Sequence, residues 1–349
     1  MGLHCKKTKF YAVFDDWTNV MACRLRIQPR GGTANQLLQF MLAKNIERVA
    51  DDVRVTGCHI PEWGVITAPD NDPDKAIELS LTGNSIYHDD VVDIIRKGLA
   101  SNVVLKGHSF RISNYALPEF YRPIIGWSCE NVTGYGSEHV VFHIRGGDIL
   151  MPAHQDYYPI PFSYIDAVLK NTDASPVFVG QLEDSYYAEK LRERYPDAIY
   201  SKPQTAVEDF ETLRRSSEIA VSISSFAWLA AWLSHATTIH LPVAGMLNPA
   251  QRPDIDLLPL DDPRYKFYRF DQFKWNATPS DIETLWQSRA HGLFSRNELA
   301  ELKFYAARLT RAKSRSSRIK LYARAVLTST ADKIYRACSP LNWHGAVRR

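Results

Sequence analysis

Two short segments carry the side chains best suited to hold an anion. In Val140-Val141-Phe142-His143-Ile144-Arg145-Gly146-Gly147-Asp148, an apolar run ends in an arginine, followed by two glycines and a carboxylate. A strand that delivers a guanidinium to its carboxyl edge can grip a diphosphate through paired hydrogen bonds, and the glycines let backbone approach the ligand. The competing role for Arg145 is a structural ion pair with a helix. Strand alternation puts Val141, His143 and Arg145 on one face, so His143 lies one pleat deeper and reads as a buried, hydrogen-bonded histidine before it reads as a proton carrier. In Ile219-Ala220-Val221-Ser222-Ile223-Ser224-Ser225-Phe226-Ala227-Trp228, a strand gives way to two serines that open an apolar helix. Their hydroxyls, with the unpaired N–H groups of a helix N-terminus, make a second place for negative charge, although capping alone accounts for one serine. An arginine and a helix terminus at neighbouring strand ends would neutralise a pyrophosphate without a metal ion, and would stabilise a departing phosphate by preorganised electrostatics.

The elements that must position these residues can be read from periodicity. Arg24 to Gln28 alternates as a strand, Pro29 to Ala34 is a Gly-rich turn, and Gln36 to Ala50 carries a helical stripe of Leu37, Phe40, Met41, Ala43, Ile46 and Ala50. Further on, strands are expected at Val140–Arg145, Pro176–Gly180, Ala198–Tyr200, Ile219–Ile223 and Thr237–Leu241. Between them the pattern predicts helices at Phe162–Leu169, Glu183–Tyr195, Glu208–Arg215 and Phe226–Leu233. Strands apolar on both faces and alternating with helices predict a parallel sheet covered on both sides, hence an α/β fold with ligands beyond the carboxyl ends of the strands. The expected organisation is an N-terminal α/β unit over 20–137, a second over 138–280, and a helical extension over 281–349.

That extension carries the net positive charge, and the rest of the chain is net acidic. The chain has 349 residues, 42 Lys+Arg and 39 Asp+Glu, yet Leu302 to Arg336 alone carries ten basic residues and one acidic one, Asp332. Apolar residues recur there at helical spacing (Leu302, Tyr305, Leu309, then Ile319, Tyr322, Val326), which predicts two amphipathic helices hinged at Ser314 to Ser317. Such a surface is either a solvated face packed on the body or a contact for anionic lipid. Nucleic acid is the weaker partner, because the basic residues lie outside the motif-bearing unit.

With 45% hydrophobic and 23% charged residues, the composition is that of a globular protein and excludes disorder or a collagen-like chain. The longest apolar run, Phe226 to Leu233, is far short of the roughly 20 residues that span a bilayer, and the N-terminus lacks the layout of a signal peptide. The expectation is a soluble cytoplasmic protein, with peripheral attachment at the inner face of a membrane as the variant that the basic tail allows. Five scattered cysteines (Cys5, Cys23, Cys58, Cys129, Cys338) form no CxxC pair and read as idle or buried thiols. The Asn131 and Asn276 sequons have meaning only in a secreted protein. Asp254-Ile255-Asp256 has the spacing of a metal-dependent sugar transferase motif, but among prolines it reads as a solvated loop, so no metal is expected.

Taken together, three segments resemble the α-1,2-fucosyltransferase family and, more distantly, the α-1,6- and protein O-fucosyltransferases. The family's GGxGNQxxQ resembles GGTANQLLQ from Gly31 to Gln39, its HxRRxD loop resembles HIRGGD from His143 to Asp148, and its SxSSFSWWxAWL resembles SISSFAWLAAWL from Ser222 to Leu233. VEDFETL around Asp209 and YYPIPFSYI from Tyr157 to Ile165 add to the likeness, which spans about Arg24 to Leu247. The resemblance implies a GT-B architecture of two facing Rossmann-like domains and an inverting, metal-independent fucosyl transfer from GDP-β-L-fucose to a glycan hydroxyl, in an α-1,2 linkage to a galactoside. No cofactor is implied beyond the donor substrate; the partners would be that nucleotide sugar and an oligosaccharide or lipid-linked glycan. By the same resemblance Arg145 grips the β-phosphate; Ser224, Ser225 and the Phe226 amide bind the pyrophosphate; and Asp148 and Asp209 hold the nucleotide. Gly31, Gly32 and His143 belong to the donor site, and Asn35 faces the transferred sugar or the cleft between the domains. Arg145, Asp148 and Asn35 are the catalytic candidates, with His154 and Asp156 as further candidate bases beside Asp148. Two positions depart from the pattern: Gly146 stands where the family has a second arginine, and Ala34 where it has a glycine. Transfer from another nucleotide sugar, and non-catalytic binding of a nucleotide sugar or glycan, therefore stay open as alternatives.

Overall fold

The computed structural model describes residues 23–69, 77–125, 132–152, 154–202 and 204–338; Cys5, Cys129 and the Asn131 sequon lie outside them. In the N-terminal unit, β1 (Cys23–Ile27) leads into α1 (Thr33–Val49), and β2 (Val53–Thr56) follows. A short excursion, β3 (His59–Ile60), a single 3₁₀ turn at Pro61–Trp63 and β4 (Val65–Ile66), precedes β5 (Leu79–Leu81), α2 (His88–Arg96), β6 (Asn102–Leu105) and the one-turn α3 (Pro118–Tyr121). β1 buries Cys23, Leu25 and Ile27, while Arg24 and Arg26 alternate to the other side, where Glu78 accepts two hydrogen bonds at 2.7 and 2.8 Å from Arg26 Nη2. The sheet order is β2-β1-β6-β5, with every pairing parallel.

The second unit runs β7 (His139–Ile144), α4 (Phe162–Leu169), β8 (Ser175–Gly180), α5 (Tyr186–Arg194), β9 (Ile199–Tyr200), α6 (Ala206–Arg215), β10 (Glu218–Ala220), α7 (Ser225–Leu233), β11 (Thr238–Val243), β12 (Tyr265–Phe270), α8 (Pro279–Gln287) and β13 (Ala290–Leu293). Its order is β13-β12-β11-β10-β7-β8-β9, parallel except for the β13 edge. Strand β7 is central and buried from Val140 to Ile144, which is why its sequence shows almost no polar alternation. The chain winds outward from β7 to β9 and then returns to β10 on the other flank of β7. The sheet therefore has its topological switch point between β7 and β10, where open α/β sheets form their ligand crevice. The chain is an α/β protein of two Rossmann-like units, as expected.

The helix α7, apolar all round, is buried because it lies between the units: it packs on α1 and α3 of the first and on α6 of the second. Trp228 stacks on Trp232 at 5.6 Å and donates its indole N–H to the Leu257 carbonyl at 2.6 Å. Capping shifts two helix starts from expectation. α1 begins at Thr33, three residues early, on an extended Gly32. α6 begins at Ala206, because Thr205 and Glu208 form a capping box.

Three expectations are corrected. The basic tail is one continuous helix, α9 (Arg296–Cys338), not two: Ser314 to Ser317 contain no glycine or proline, and Ser314 docks by its hydroxyl on Tyr87 at 2.8 Å. The second sheet runs past residue 280, since β13 is its antiparallel edge, so the helical extension proper begins at Arg296. The Asp254–Asp256 loop is a cross-link rather than a solvated turn. Asp254 accepts from Arg252 and from Asn84 of the first unit, each at 2.9 Å, and Asp256 pairs with Lys303 of α9 at 2.8 Å. Burial works against the Asp254 charge, yet these donors hold its carboxyl down to about 2.

Candidate functional site

The carboxyl ends of β1, β7, β8 and β10 open onto one cavity of about 290 Å³, lined from the first unit by Gly32, Thr33, Ala34 and Asn35. From the second unit come His143 in β7 with Arg145 and Asp148 after it, Gly180 at the end of β8 with Gln181 after it, Ala206 and Asp209 of α6, and Ser224, Ser225 and Phe226 at the start of α7. All three catalytic candidates and every donor-site candidate except Gly31 are brought together there. Gly31 stays outside the lining and acts through conformation. Its φ is +73°, and a Cβ there would meet Asn35 Nδ2 at 2.5 Å, so glycine is what lets Asn35 occupy its place.

The first-unit wall is held by its own glutamines. Gln36 Nε2 donates to the Gly31 carbonyl at 3.0 Å, and the buried Gln39 accepts from Arg30 N–H at 3.1 Å while donating to Gly107 at 3.1 Å. The units are joined at the cavity itself, where Ser225 Oγ donates to Asn35 Oδ1 at 2.6 Å. Neither α1 nor α7 has an acidic residue in its first turn, and Gly32 offers α1 no side-chain cap. Two helix N-termini and a guanidinium thus converge on one cavity, which the carboxyls of Asp148 and Asp209 also line.

Within the cavity, Arg145 is engaged by Asp148, Nη2 to Oδ2 at 2.8 Å and Nε to Oδ1 at 3.2 Å, and its guanidinium carbon lies 5.8 Å from the Tyr157 ring centre. The ion pair expected as the competing role of Arg145 therefore exists, made with Asp148 at the start of a 3₁₀ turn over Asp148–Leu150. Ser224 is the N-cap of α7: its Oγ accepts the Phe226 N–H at 3.1 Å, so the amide that the resemblance gives to a pyrophosphate is taken by the cap. His143 is buried and hydrogen-bonded through Nδ1 to Ser222 Oγ at 2.7 Å; burial, then the Arg145 charge, pushes its pKa down to about 3, so it is neutral at pH 7. His154 and Asp156 lie outside the lining, 3.7 Å apart, with Asp156 also 3.9 Å from Arg252, which leaves Asp148 as the cavity-lining member of the three candidate bases.

Asp209 is 9% exposed, and its Oδ1 is buried without a hydrogen-bond partner. Burial, with Glu208 and Glu183 nearby and only the Gly180 N–H in opposition, raises its pKa from 3.8 to about 7. The folded value lies above the unfolded one, so this contribution to stability is fully present below about pH 4. It falls by about 1.4 kcal/mol per pH unit as pH rises toward 7. Asp209→Asn is expected to flatten that part of the profile, measured as urea midpoints between about pH 4 and pH 8; parallel profiles for the two proteins would refute it.

Gly146 has a steric reason to be glycine. A Cβ there would sit 2.5 Å from the Gln181 carbonyl oxygen, and the next residue, Gly147, donates its N–H to Gln181 Oε1 at 3.0 Å. Gly146→Arg is therefore expected to destabilise the protein by about 1–3 kcal/mol and to displace the Arg145 loop, read as a lower melting temperature. An unchanged melting temperature would show that the loop after β8 yields.

Sequence reasoning missed Thr33, Ala34, Gly180, Gln181 and Ala206 as lining residues. Gly180 ends an expected strand and Gln181 follows it, so the rule that ligands lie beyond carboxyl strand ends points to them once β8 is known to neighbour β7. Among the described residues no group of three or more His, Cys, Asp or Glu side chains is arranged to hold a metal ion.

Fold and site define a two-unit α/β protein whose facing strand ends enclose a cavity suited to an anion. No protein-family model matches the sequence, and no characterised relative matches it. Among solved structures, the Escherichia coli heptosyltransferase WaaC with ADP is 10% identical with a TM-score of 0.35, over 63% of this chain and 86% of its own. An Arabidopsis thaliana FUT1 variant in complex with GDP is 11% identical with a TM-score of 0.38, over 63% of this chain and 70% of its own. The iron-containing dodecameric glycosyltransferase TibC of enterotoxigenic E. coli is 13% identical with a TM-score of 0.37, over 88% of this chain and 77% of its own. Likenesses this distant bear on neither substrate nor mechanism.

Proposed function

We propose that the chain is an inverting glycosyltransferase that moves L-fucose from GDP-β-L-fucose to a glycan hydroxyl, α-1,2 to a galactoside, without a metal ion. One observation carries the reading: the three segments that resemble the fucosyltransferase motifs are far apart in sequence, yet they wall a single cavity under two helix N-termini and an arginine. The diphosphate sits against the termini of α1 and α7, with Ser225 and Arg145 donating to its oxygens. The buried Asp209 Oδ1 accepts from a donor group of the nucleoside. Asn35, which gives up the Ser225 hydrogen bond when Ser225 turns to the diphosphate, faces the sugar.

In the transfer, the bond between sugar C1 and the β-phosphate oxygen breaks, and its electron pair leaves with GDP. The acceptor oxygen attacks C1 from the opposite face, which turns a β-linked donor into an α-linked product. When Arg145 turns to the diphosphate it gives up Asp148, and the released carboxylate takes the proton of the acceptor hydroxyl. Donor binding and base release are thereby one event.

Calorimetric titration in EDTA with GDP, GDP-fucose, GDP-mannose and UDP-sugars tests the reading, coupled to GDP release with β-galactoside acceptors. GDP and GDP-fucose are expected to bind, with release dependent on acceptor; a folded protein that binds no nucleotide sinks it. The Arg145–Asp148 pair also favours a second reading, a nucleotide-sugar-binding protein that does not turn over, for which binding without GDP release is the signature.

A further inference from the structure

The helix α9, 43 residues and about 65 Å long at 1.5 Å per residue, has two unlike sides. Its inward side is docked: Leu299, Ala306 and Ala325 are buried, Tyr322 bonds Asp93 at 2.7 Å, and Arg318 pairs with Asp90 at 2.6 Å. On the outward side Tyr305, Leu309, Ile319, Val326, Leu327 and Ile334 recur at helical spacing and are all exposed, Ile319 at 63% and Leu327 at 69%. Alanines and hydroxyl residues (Ala312, Ser316, Ala323, Thr330) fill the turns between them. At 100° per residue, exposed basic residues flank this strip on both sides, Arg308, Arg315 and Lys333 along one and Lys313, Lys320 and Arg324 along the other. Asp332, the only acidic residue between Leu302 and Ile334, turns inward to Ser101 Oγ at 3.3 Å.

We infer that this face of α9 lies in the plane of an anionic lipid bilayer. An apolar strip between two basic margins, without acidic residues, matches acyl chains below and lipid phosphates beside the helix, and the long basic side chains can reach up to the headgroups. A second copy of the chain fits poorly. Pairing two such strips sets basic margin against basic margin in either direction, and the alanine and serine positions give shallow knobs. Nucleic acid would answer the basic margins but leave the exposed leucines and isoleucines in water. No helix among the described residues is long and apolar enough to cross a membrane, so the contact is in-plane. The inference stands apart from the sugar transfer proposed above.

Flotation of the full chain with vesicles tests it. The protein is expected to float with phosphatidylcholine vesicles containing phosphatidylglycerol, weakly with phosphatidylcholine alone, and less as salt rises. Arg308→Gln, Arg315→Gln, Lys320→Gln and Arg324→Gln, introduced together, are expected to lower partitioning about fivefold per charge. Leu309→Asp with Ile319→Asp and Leu327→Asp is expected to abolish it, with helix content and melting temperature retained because these residues are exposed. No flotation with anionic vesicles overturns the inference, as does flotation that neither variant weakens. A dimer in ultracentrifugation that the apolar variant dissolves, or duplex DNA bound in preference to vesicles, also overturns it.

Discussion

Arg145→Ala is expected to lower GDP release from GDP-fucose by about 10²–10³, the usual cost of removing one preorganised donor to a leaving oxygen. Among the described lining residues the side chain is the one cationic group, and the two helix termini remain in its absence, so residual binding of GDP is expected with turnover nearly gone. Arg145→Lys is expected to recover only part of the rate, because a point ammonium cannot span two phosphate oxygens. The pair with Asp148 makes a second variant informative. Asp148→Asn frees the guanidinium, so GDP is expected to bind more tightly while turnover falls, a split that a purely structural ion pair would not produce. Because the carboxylate is 64% exposed, losing the pair leaves the melting temperature nearly unchanged. Wild-type turnover in Arg145→Ala would remove this arginine from the chemistry.

How far the site could be read in advance depended on whether its geometry is local. A strand followed by Arg-Gly-Gly-Asp, and a strand followed by Ser-Ser and an apolar helix, are local patterns, and β7 and α7 fall within one or two residues of expectation. Which strands are neighbours is not local. The order β10-β7-β8 decides that Gly180 and Gln181 join the cavity and that Gly146 faces the Gln181 carbonyl, and no periodicity in the chain encodes that order. Hydrogen bonds made on folding were equally hidden: that Ser224 uses the Phe226 amide, and that Asp148 occupies Arg145, follow from side-chain placement. The first unit was legible only through β1 and α1. Its remaining strands are of two to four residues, too short to show a period, and they are specified by pairing. In the tail, the serines at 314–317 read as a break because they interrupt the apolar stripe, whereas they belong to a helix whose docked side is partly polar.

Trp63→Ala is expected to cost about 3–5 kcal/mol of stability, the range for truncating a buried large aromatic side chain, and to weaken donor binding at the same time. Trp63 lies on the excursion between β3 and β4 of the first unit and is 1% exposed, and it reaches two aromatic rings of the second unit. Its ring meets Phe210 of α6 edge-on at 4.6 Å and Phe226 of α7 at 6.2 Å, and Phe226 in turn packs on His143 at 5.2 Å. The helices it wedges together are those that carry Asp209, Ser224 and Ser225, so a cavity left by the missing indole lies directly behind the anion-facing wall. Trp63→Phe retains an edge-to-face partner for Phe210 and is expected to lose less than half as much stability. Urea unfolding measures the first effect and calorimetric titration with GDP, on protein shown folded by circular dichroism, the second. Stability lost without any change in GDP affinity would mean that the helix N-termini are held by the Asn35–Ser225 hydrogen bond and the sheet alone, and that the aromatic wedge joins the units without shaping the site.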